Sequence, residues 1–315
     1  CPAPAGSAHR SEAALELAAS RHELWRLTAD TAHLTAALGV LGGPSDPDAH
    51  WPAPLRRARL LRRGRLLLDL DRPGEAVPEL REGCALLDSE GAPDAVRGPA
   101  LLDLARALHA SGADGSEAHD ALVRAERAAA DDPALRLSCL AARAAFHDAA
   151  GDHPAADEAY ETAAMLAPPD SVRRCELLTA WGESLLRRSS RPDGAGIVDR
   201  AENVLREALK ALPARSAQRG RLQGLIGSAL AQRFRHLGFL PDLYESRHLL
   251  GQAVRAASDG VQAESWLQLG RVRLELWHRA GAPVLADALQ PVHRGPPEEP
   301  RRRRERRSRG RLAGR

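Results

Sequence analysis

Twelve histidines and four cysteines are the residues of this chain that could hold a metal or do redox work, and their spacing argues against both. His147 and His153 are the nearest histidine pair worth weighing, set on either side of a Gly151-Asp152 turn. No HExxH, no CxxC pair and no carboxylate-histidine face supplies the further ligands that a zinc site needs, so the pair reads as a solvated turn. Cys1, Cys84, Cys139 and Cys175 are widely separated. Three of them fall on expected helices among small apolar neighbours, where a free thiol packs as a compact hydrophobe. The stretch 112–115 has neither the spacing nor the lysine of a phosphate loop, and no GxSxG elbow occurs. The expectation is a non-enzyme with no catalytic residue, no cofactor and no metal, which leaves recognition as the chemistry open to it.

The strongest charge signal is a run of arginine at the end of the sequence. Residues 301–315 hold nine Arg against the single Glu305, a local +8, so that within a net charge of +3 residues 1–300 carry −5. Such a tail can bind nucleic acid or an acidic membrane by releasing counterions, yet it carries no aromatic residue for base stacking. Flanked by Pro and Gly, it reads first as a disordered, solvated segment. Nucleic acid is therefore expected as a partner only through Arg301 to Arg311. No run of apolar residues is long enough to span a membrane and no charged-then-apolar leader opens the chain, so the cytoplasm is the expected compartment. The chain starts at Cys1 rather than Met, which is compatible with a fragment.

Recognition residues need elements to hold them, and the composition names the element. Ala, Leu, Arg and Glu dominate, aromatics make up 3%, and helix is favoured nearly throughout. Helical spacing runs from Ala8 to Leu27 and from Thr31 to Leu41, after unstructured residues 1–7 and before a Gly-Gly-Pro-Ser-Asp-Pro stop at 42–47. This first pair fits the later pattern poorly, as a terminal cap does. Tighter patterns follow between Pro54 and Glu90, over 94–130, and from Leu137 to Pro168. The packing logic repeats. Gly64 is followed at twelve, four and three by Ala76, Leu80 and Gly83, and Ala144 likewise by Ala156, Tyr160 and Ala163. Helices about 8 to 10 Å apart need a small residue where their axes cross and a bulky one where they diverge.

From Cys175 to Asp259 the same code is written twice in longer form. Gly182 and Gly227 lie 45 positions apart, as do Ala208 and Ala253, and self-similarity at this period signals stacked helix pairs. The gap between the glycine and the first small residue grows from 12 to 19. Seven residues are about two helical turns, so the first helix or its loop is expected to lengthen without much rotation of its face. A last unit opens at Gln262 with a short second helix over 284–289, and prolines at 291, 296, 297 and 300 end regular structure.

These units resemble the tetratricopeptide repeat, and the longer form is similar to the arrays of 45-residue repeats found in actinobacterial proteins, often ahead of a caspase-like CHAT protease domain. Leu225, Gly227, Ala229, Leu230, Arg233, Phe234, Gly238, Asp242, Leu243, Leu250 and Ala253 carry the resemblance. It covers about residues 135–290 and more weakly 50–134. No His-Gly with a later catalytic Cys follows, so protease activity is not implied. What the resemblance implies is an all-α, right-handed superhelical solenoid of antiparallel helix pairs, a scaffold whose concave face, lined by the first helices, binds a partner protein or peptide. A regulatory repeat segment of a larger signalling protein, with a CHAT-type protease or transcription-regulator effector outside the chain, is the alternative.

By position in the repeat, Glu176, Thr179, Glu183 and Arg187, then Arg221, Ser228 and Gln232, then Glu264, Arg271 and Glu275 are expected on that face. Each stands opposite the packing residues of its own helix, and a mixed-charge groove suits an extended or helical protein segment. The expected organisation is a flexible segment with a capping helix pair over 1–49, the repeat array over 50–290, and a Pro/Arg-rich tail over 291–315.

Overall fold

The computed structural model describes residues 5–42, 51–113, 115–190, 194–213, 216, 218–256 and 259–280. Cys1, the stop at 43–47, Pro192-Asp193, the expected short helix over 284–289 and the Arg-rich tail lie outside the described residues. Among the described residues there are thirteen helices and no strand. They are α1 (Ala5–Thr28), α2 (Ala32–Leu41), α3 (Ala53–Asp69), α4 (Pro73–Ser89), α5 (Asp94–Ala110), α6 (Gly115–Ala128), α7 (Pro133–Ala150), α8 (His153–Leu166), α9 (Val172–Arg188), α10 (Ala195–Ala211), α11 (Gln218–Leu237), α12 (Leu240–Ala256) and α13 (Asp259–Ala280). The fold class is the expected all-α stack of helix hairpins. Two details differ from the sequence reading. Helix α1 already starts at Ala5, inside the stretch expected to be unstructured. The lengthening of the long repeats also falls partly on the second helix: α10 and α12 begin six residues before Ala201 and Ser246, whereas α6 and α8 begin three before Ala118 and Ala156.

The chain divides into two compact units. Unit 1 comprises Cys1–Arg187 and Asn203–Pro213, and unit 2 comprises Arg188–Glu202 and Ala214–Arg315. In unit 1 the hairpins α3–α4, α5–α6 and α7–α8 stack so that α3 meets α5 and α5 meets α7. Their core is Leu and Ala almost throughout, including Leu80, Leu87, Leu101, Leu108 and Leu122. A second cluster packs α1 and α2 on α3 through Ala18, Leu34, Leu41 and Leu66. Arg59 and Arg63 of α3 donate to the carbonyls of Leu41 and Gly42, placing cations where the end of α2 leaves its carbonyls unpaired. In unit 2, α11, α12 and α13 share a core of Phe234, Leu243, Leu250, Leu269 and Leu276.

The packing code is literal. A Cβ added at Gly182 would meet Leu205 at 2.5 Å, and one added at Gly227 would meet Leu250 at 2.8 Å. Gly64 stands in the same relation to Leu80. Reversal of the chain after α3, α5, α7 and α11 rests on one left-handed residue in each case: Asp71 (φ 56), Gly112 (φ 68), Gly151 (φ 77) and Gly238 (φ 71). In the first three turns the next N–H reaches back to close the helix end, from Arg72 to the Leu67 carbonyl at 2.8 Å, Ala113 to Leu108 at 3.1 Å and Asp152 to His147 at 2.9 Å. This is the bonding of a Schellman cap, which favours glycine.

Three expected outcomes follow from the crossings and the turns. Gly182→Ala lowers stability by about 1–3 kcal/mol through overpacking, whereas Gly270→Ala, with no atom within 4 Å of the new Cβ, raises it by up to about 1 kcal/mol through helix propensity. Asp71→Gly relieves the left-handed strain and stabilises by about 0.5–1 kcal/mol. Urea melts followed by circular dichroism measure all three.

Candidate functional site

In unit 1 the residue after each packing Gly or Ala occupies one register on successive first helices. Arg65 follows Gly64, Arg106 follows Ala105, Ala145 follows Ala144 and Glu183 follows Gly182. The three polar residues of this series are all half-buried, so each presents a head group while its stem packs. Hydrogen bonds and ion pairs run between the helices along this line. His22 Nε2 lies 2.8 Å from Asp69 Oδ2, and Arg65 reaches both Asp69, at 3.5 Å, and Asp103. Arg106 lies 4.0 Å from Asp103 and donates to the Ser138 carbonyl at 3.4 Å. Asp148 ends the series, accepting from Ser184 Oγ and from Arg187, each at 2.5 Å.

The guanidiniums are the outer layer: Arg65 and Arg106 side chains are 40% and 32% exposed, against 17% for Asp69 and 15% for Asp103. Burial pushes the Asp103 carboxyl up, although Arg65 and Arg106 oppose it. Burial also pulls Arg106 down, only partly countered by Asp103. Arg65 is buried too, yet Asp103 and Asp69 together hold it above its ordinary value. One carboxylate serves two guanidiniums here, and Arg106 has the poorer share. Beside this line His109 stacks on Phe146 with ring centroids 4.1 Å apart. Burial lowers its pKa, so the imidazole is neutral at pH 7.

The ten residues expected on the ligand face divide between the units. In unit 1, Glu176 is exposed and 3.2 Å from Arg173, while Thr179 is half-buried and donates to the Cys175 carbonyl at 2.7 Å. Glu183 is half-buried, and Arg187 is exposed and tied to Asp148. In unit 2, Arg221 is exposed, Ser228 is half-buried, and the half-buried Gln232 accepts from Ser189. Glu264 is exposed and accepts from Gln268 at 2.7 Å, Arg271 is exposed, and Glu275 is half-buried beside Arg279 at 3.4 Å. None of the ten is buried. The sequence reading missed Arg65, Asp69, Asp103, Arg106 and Asp148. The signal for two of them was present, since Arg65 and Arg106 follow their packing residues as Glu183 follows Gly182.

Arg233, one of the residues carrying the family resemblance, holds unit 2 together. It forks onto Asp242 through two bonds of 2.8 and 2.7 Å and also reaches Glu202 and Asp199. The bonds to Asp242, against the cost of burial, raise its pKa. Asp242 and Glu202 are both nearly enclosed. Cys84, Cys139 and Cys175 are buried free thiols. Burial pushes Cys84 up to about 12 and Cys139 up to about 11, so neither is a thiolate nucleophile at neutral pH. His147 and His153 sit 3.5 and 3.7 Å from Asp152 and Asp148 around the α7–α8 turn. Among the described residues no group of three His, Cys, Asp or Glu could hold a metal ion, and no helix is long and apolar enough to cross a membrane.

No family model and no curated protein matches the chain. Solved structures are similar to it, two of them forms of one protein. The apo form of the quorum sensor NprR from B. thuringiensis aligns with a TM-score of 0.61 at 13% identity, over 88% of this chain and 73% of that one. NprR in complex with its cognate peptide NprX aligns with a TM-score of 0.50 at 14% identity, over 82% and 71%. At such identity the likeness is one of fold.

Replacing Arg233 by Met leaves the enclosed Asp242 without its partner, a change that costs about 3–5 kcal/mol at neutral pH. Denaturant midpoints of wild type and Arg233→Met at pH 7 test it.

Proposed function

We propose that this chain is a non-enzymatic interaction scaffold that binds an extended peptide or protein segment along its first-helix face. The observation that carries the reading is the single register of half-exposed polar side chains that Arg65, Arg106 and Glu183 form on α3, α5 and α9 of unit 1, with Ala145 taking the position on α7. An extended chain offers its own polar groups at regular intervals, so charged contacts in one register, with one hairpin skipped, suit it. Thr179 and Arg187 line the same face. In unit 2 the equivalent residues are Arg221, Ser228, Gln232, Glu264, Arg271 and Glu275. The similar fold of NprR, solved with its cognate peptide, supports a peptide as the ligand class, and the cytoplasm is the compartment in which it would act.

A second reading makes the chain the regulatory repeat segment of a larger signalling protein, and the likeness to a quorum sensor favours it. Its effector would be a transcription regulator or a CHAT-type protease of the actinobacterial kind, and the intact reading frame decides.

The double reversal Glu183→Arg with Arg187→Glu leaves the helical circular dichroism unchanged and weakens peptide capture by at least about tenfold, the order expected when a charge-assisted contact worth about 1.5–3 kcal/mol is lost. A displayed library of short random peptides, selected on the full wild-type chain and counted again on the variant, is the measurement. Equal enrichment on both proteins would remove the first-helix face from consideration.

A further inference from the structure

In every hairpin of unit 1 from α3 onward, the residue eight positions before the packing Gly or Ala is an arginine: Arg56, Arg97, Arg136 and Arg174. The residue two positions after the packing Leu or Tyr of the second helix stands against it at the open end of the hairpin. In α3–α4 that residue is Glu82, and Arg56 donates to it. In α9–α10 it is Glu207, and Arg174 donates to it. The two hairpins between them have lost the acid. Arg124 stands there in α5–α6 and Thr162 in α7–α8.

Each loss is accompanied by a cavity. One of about 220 Å³ is lined by Asp94, Arg97, Arg124 and Arg127. The other, of about 350 Å³, is lined by Arg136, Arg143 and Thr162, with Glu126. The acids nearby do not fill the vacant role. Asp94 is 57% exposed and pairs with Arg97 along its own helix at 2.5 Å. Arg124 reaches out to Asp88 at 2.6 Å, and Glu126 lies 3.5 Å from Arg143. Arg127 and Arg136 have no ion-pair partner among the described residues.

We propose that the open ends of α5–α6 and α7–α8 form a docking surface for an acidic segment of a partner protein, each cavity accepting one Asp or Glu carboxylate. The flanking hairpins define the ligand group, because the same slot there is filled by a glutamate side chain held by the equivalent arginine. Arginine suits the purpose, since its planar fork matches a carboxylate and it stays charged at any relevant pH. Five guanidiniums against three local acids leave a positive surplus that also draws an acidic chain in from solution. The surface is distinct from the first-helix face and does not depend on it.

The test uses the full chain and a synthetic peptide of alternating Glu and Gly that carries a photo-cross-linker, with adducts mapped by mass spectrometry. Adducts on α5–α8 are expected with wild type, and none with the Gln-for-Glu peptide. Arg124→Glu with Thr162→Glu restores the acid of the flanking hairpins from within, and adducts on α5–α8 fall at least about tenfold, the loss expected when charge-assisted contacts are taken up internally. Arg97→Gln with Arg136→Gln, which adds no acid, gives the same loss. Arg10→Glu with Ser20→Glu makes an equal change of net charge on α1 and leaves the adducts in place. Adducts confined to residues outside α5–α8, undiminished labelling of either slot variant, or an equal loss in the α1 control would overturn the proposal. Displacement of the peptide by inorganic phosphate but not by free glutamate would overturn the carboxylate assignment.

Discussion

The approach of one helix to the next at a residue without a side chain is the constraint on which the rest of this structure depends. At Gly182 the Leu205 side chain occupies the space a Cβ would need, and Gly227 receives Leu250 in the same way. A leucine seated on a bare backbone fixes distance and rotation together, because sliding along the helix brings it against a residue that has a Cβ. Once rotation is fixed, every other residue of the hairpin has an assigned direction. The position after the packing Gly or Ala is fixed in the same way, which is why Arg65, Arg106 and Glu183 share one register. The position eight before it emerges at the open end of the hairpin, where Arg56 and Arg174 find their acids.

Ionic contacts add a second layer of order on a core of very uniform chemistry. Leucine and alanine specify that helices pack but discriminate poorly between neighbours, and a buried charge pair is one means of selecting a register. Arg233 with Asp242 and Glu202 serves unit 2 in this way. The line from His22 through Asp69, Arg65, Asp103 and Arg106 runs from α1 to the start of α7 in unit 1. A residue that holds a neighbouring helix is less free to hold a ligand. Arg187, committed to Asp148, is in that position, whereas Arg106 shares the Asp103 carboxylate with Arg65 and keeps capacity to spare.

Much of the fold was legible because the spacing between small and bulky residues is a property of one or two helices. Gly64, Leu80 and Gly83 state their packing within 20 residues of sequence, and the turns at Gly112 and Gly151 announce themselves. The candidate site was less legible, for a geometric reason. The partner of Asp148 is 39 residues away at Arg187, and the partner of Arg65 is 38 away at Asp103. Nothing local says which of many charged residues will meet. Arg65 and Arg106 were recoverable by carrying the register of the long repeats back into the short ones. The placement of the added residues was not, because a helix start such as Leu240 is decided by whether the preceding turn closes, and propensity barely separates the options.

The left-handed residue at the end of α3, α5, α7 and α11 bears on how such a chain can change over generations. Asp71, Gly112, Gly151 and Gly238 reverse the chain in hairpins of both the shorter and the 45-residue kind. Direction is thus set by one residue and its immediate backbone bonds, while length is set on either side of it. An insertion that adds whole helical turns keeps the packing face where it was and leaves the reversal untouched. Repeats of unequal size can then coexist in one array, and copies are free to drift in length and in outward charge as long as the joint and the bare crossing survive. The two altered positions, Arg124 and Thr162, lie on such an outward surface, where a single substitution exchanges an internal contact for an external one without asking the fold to change.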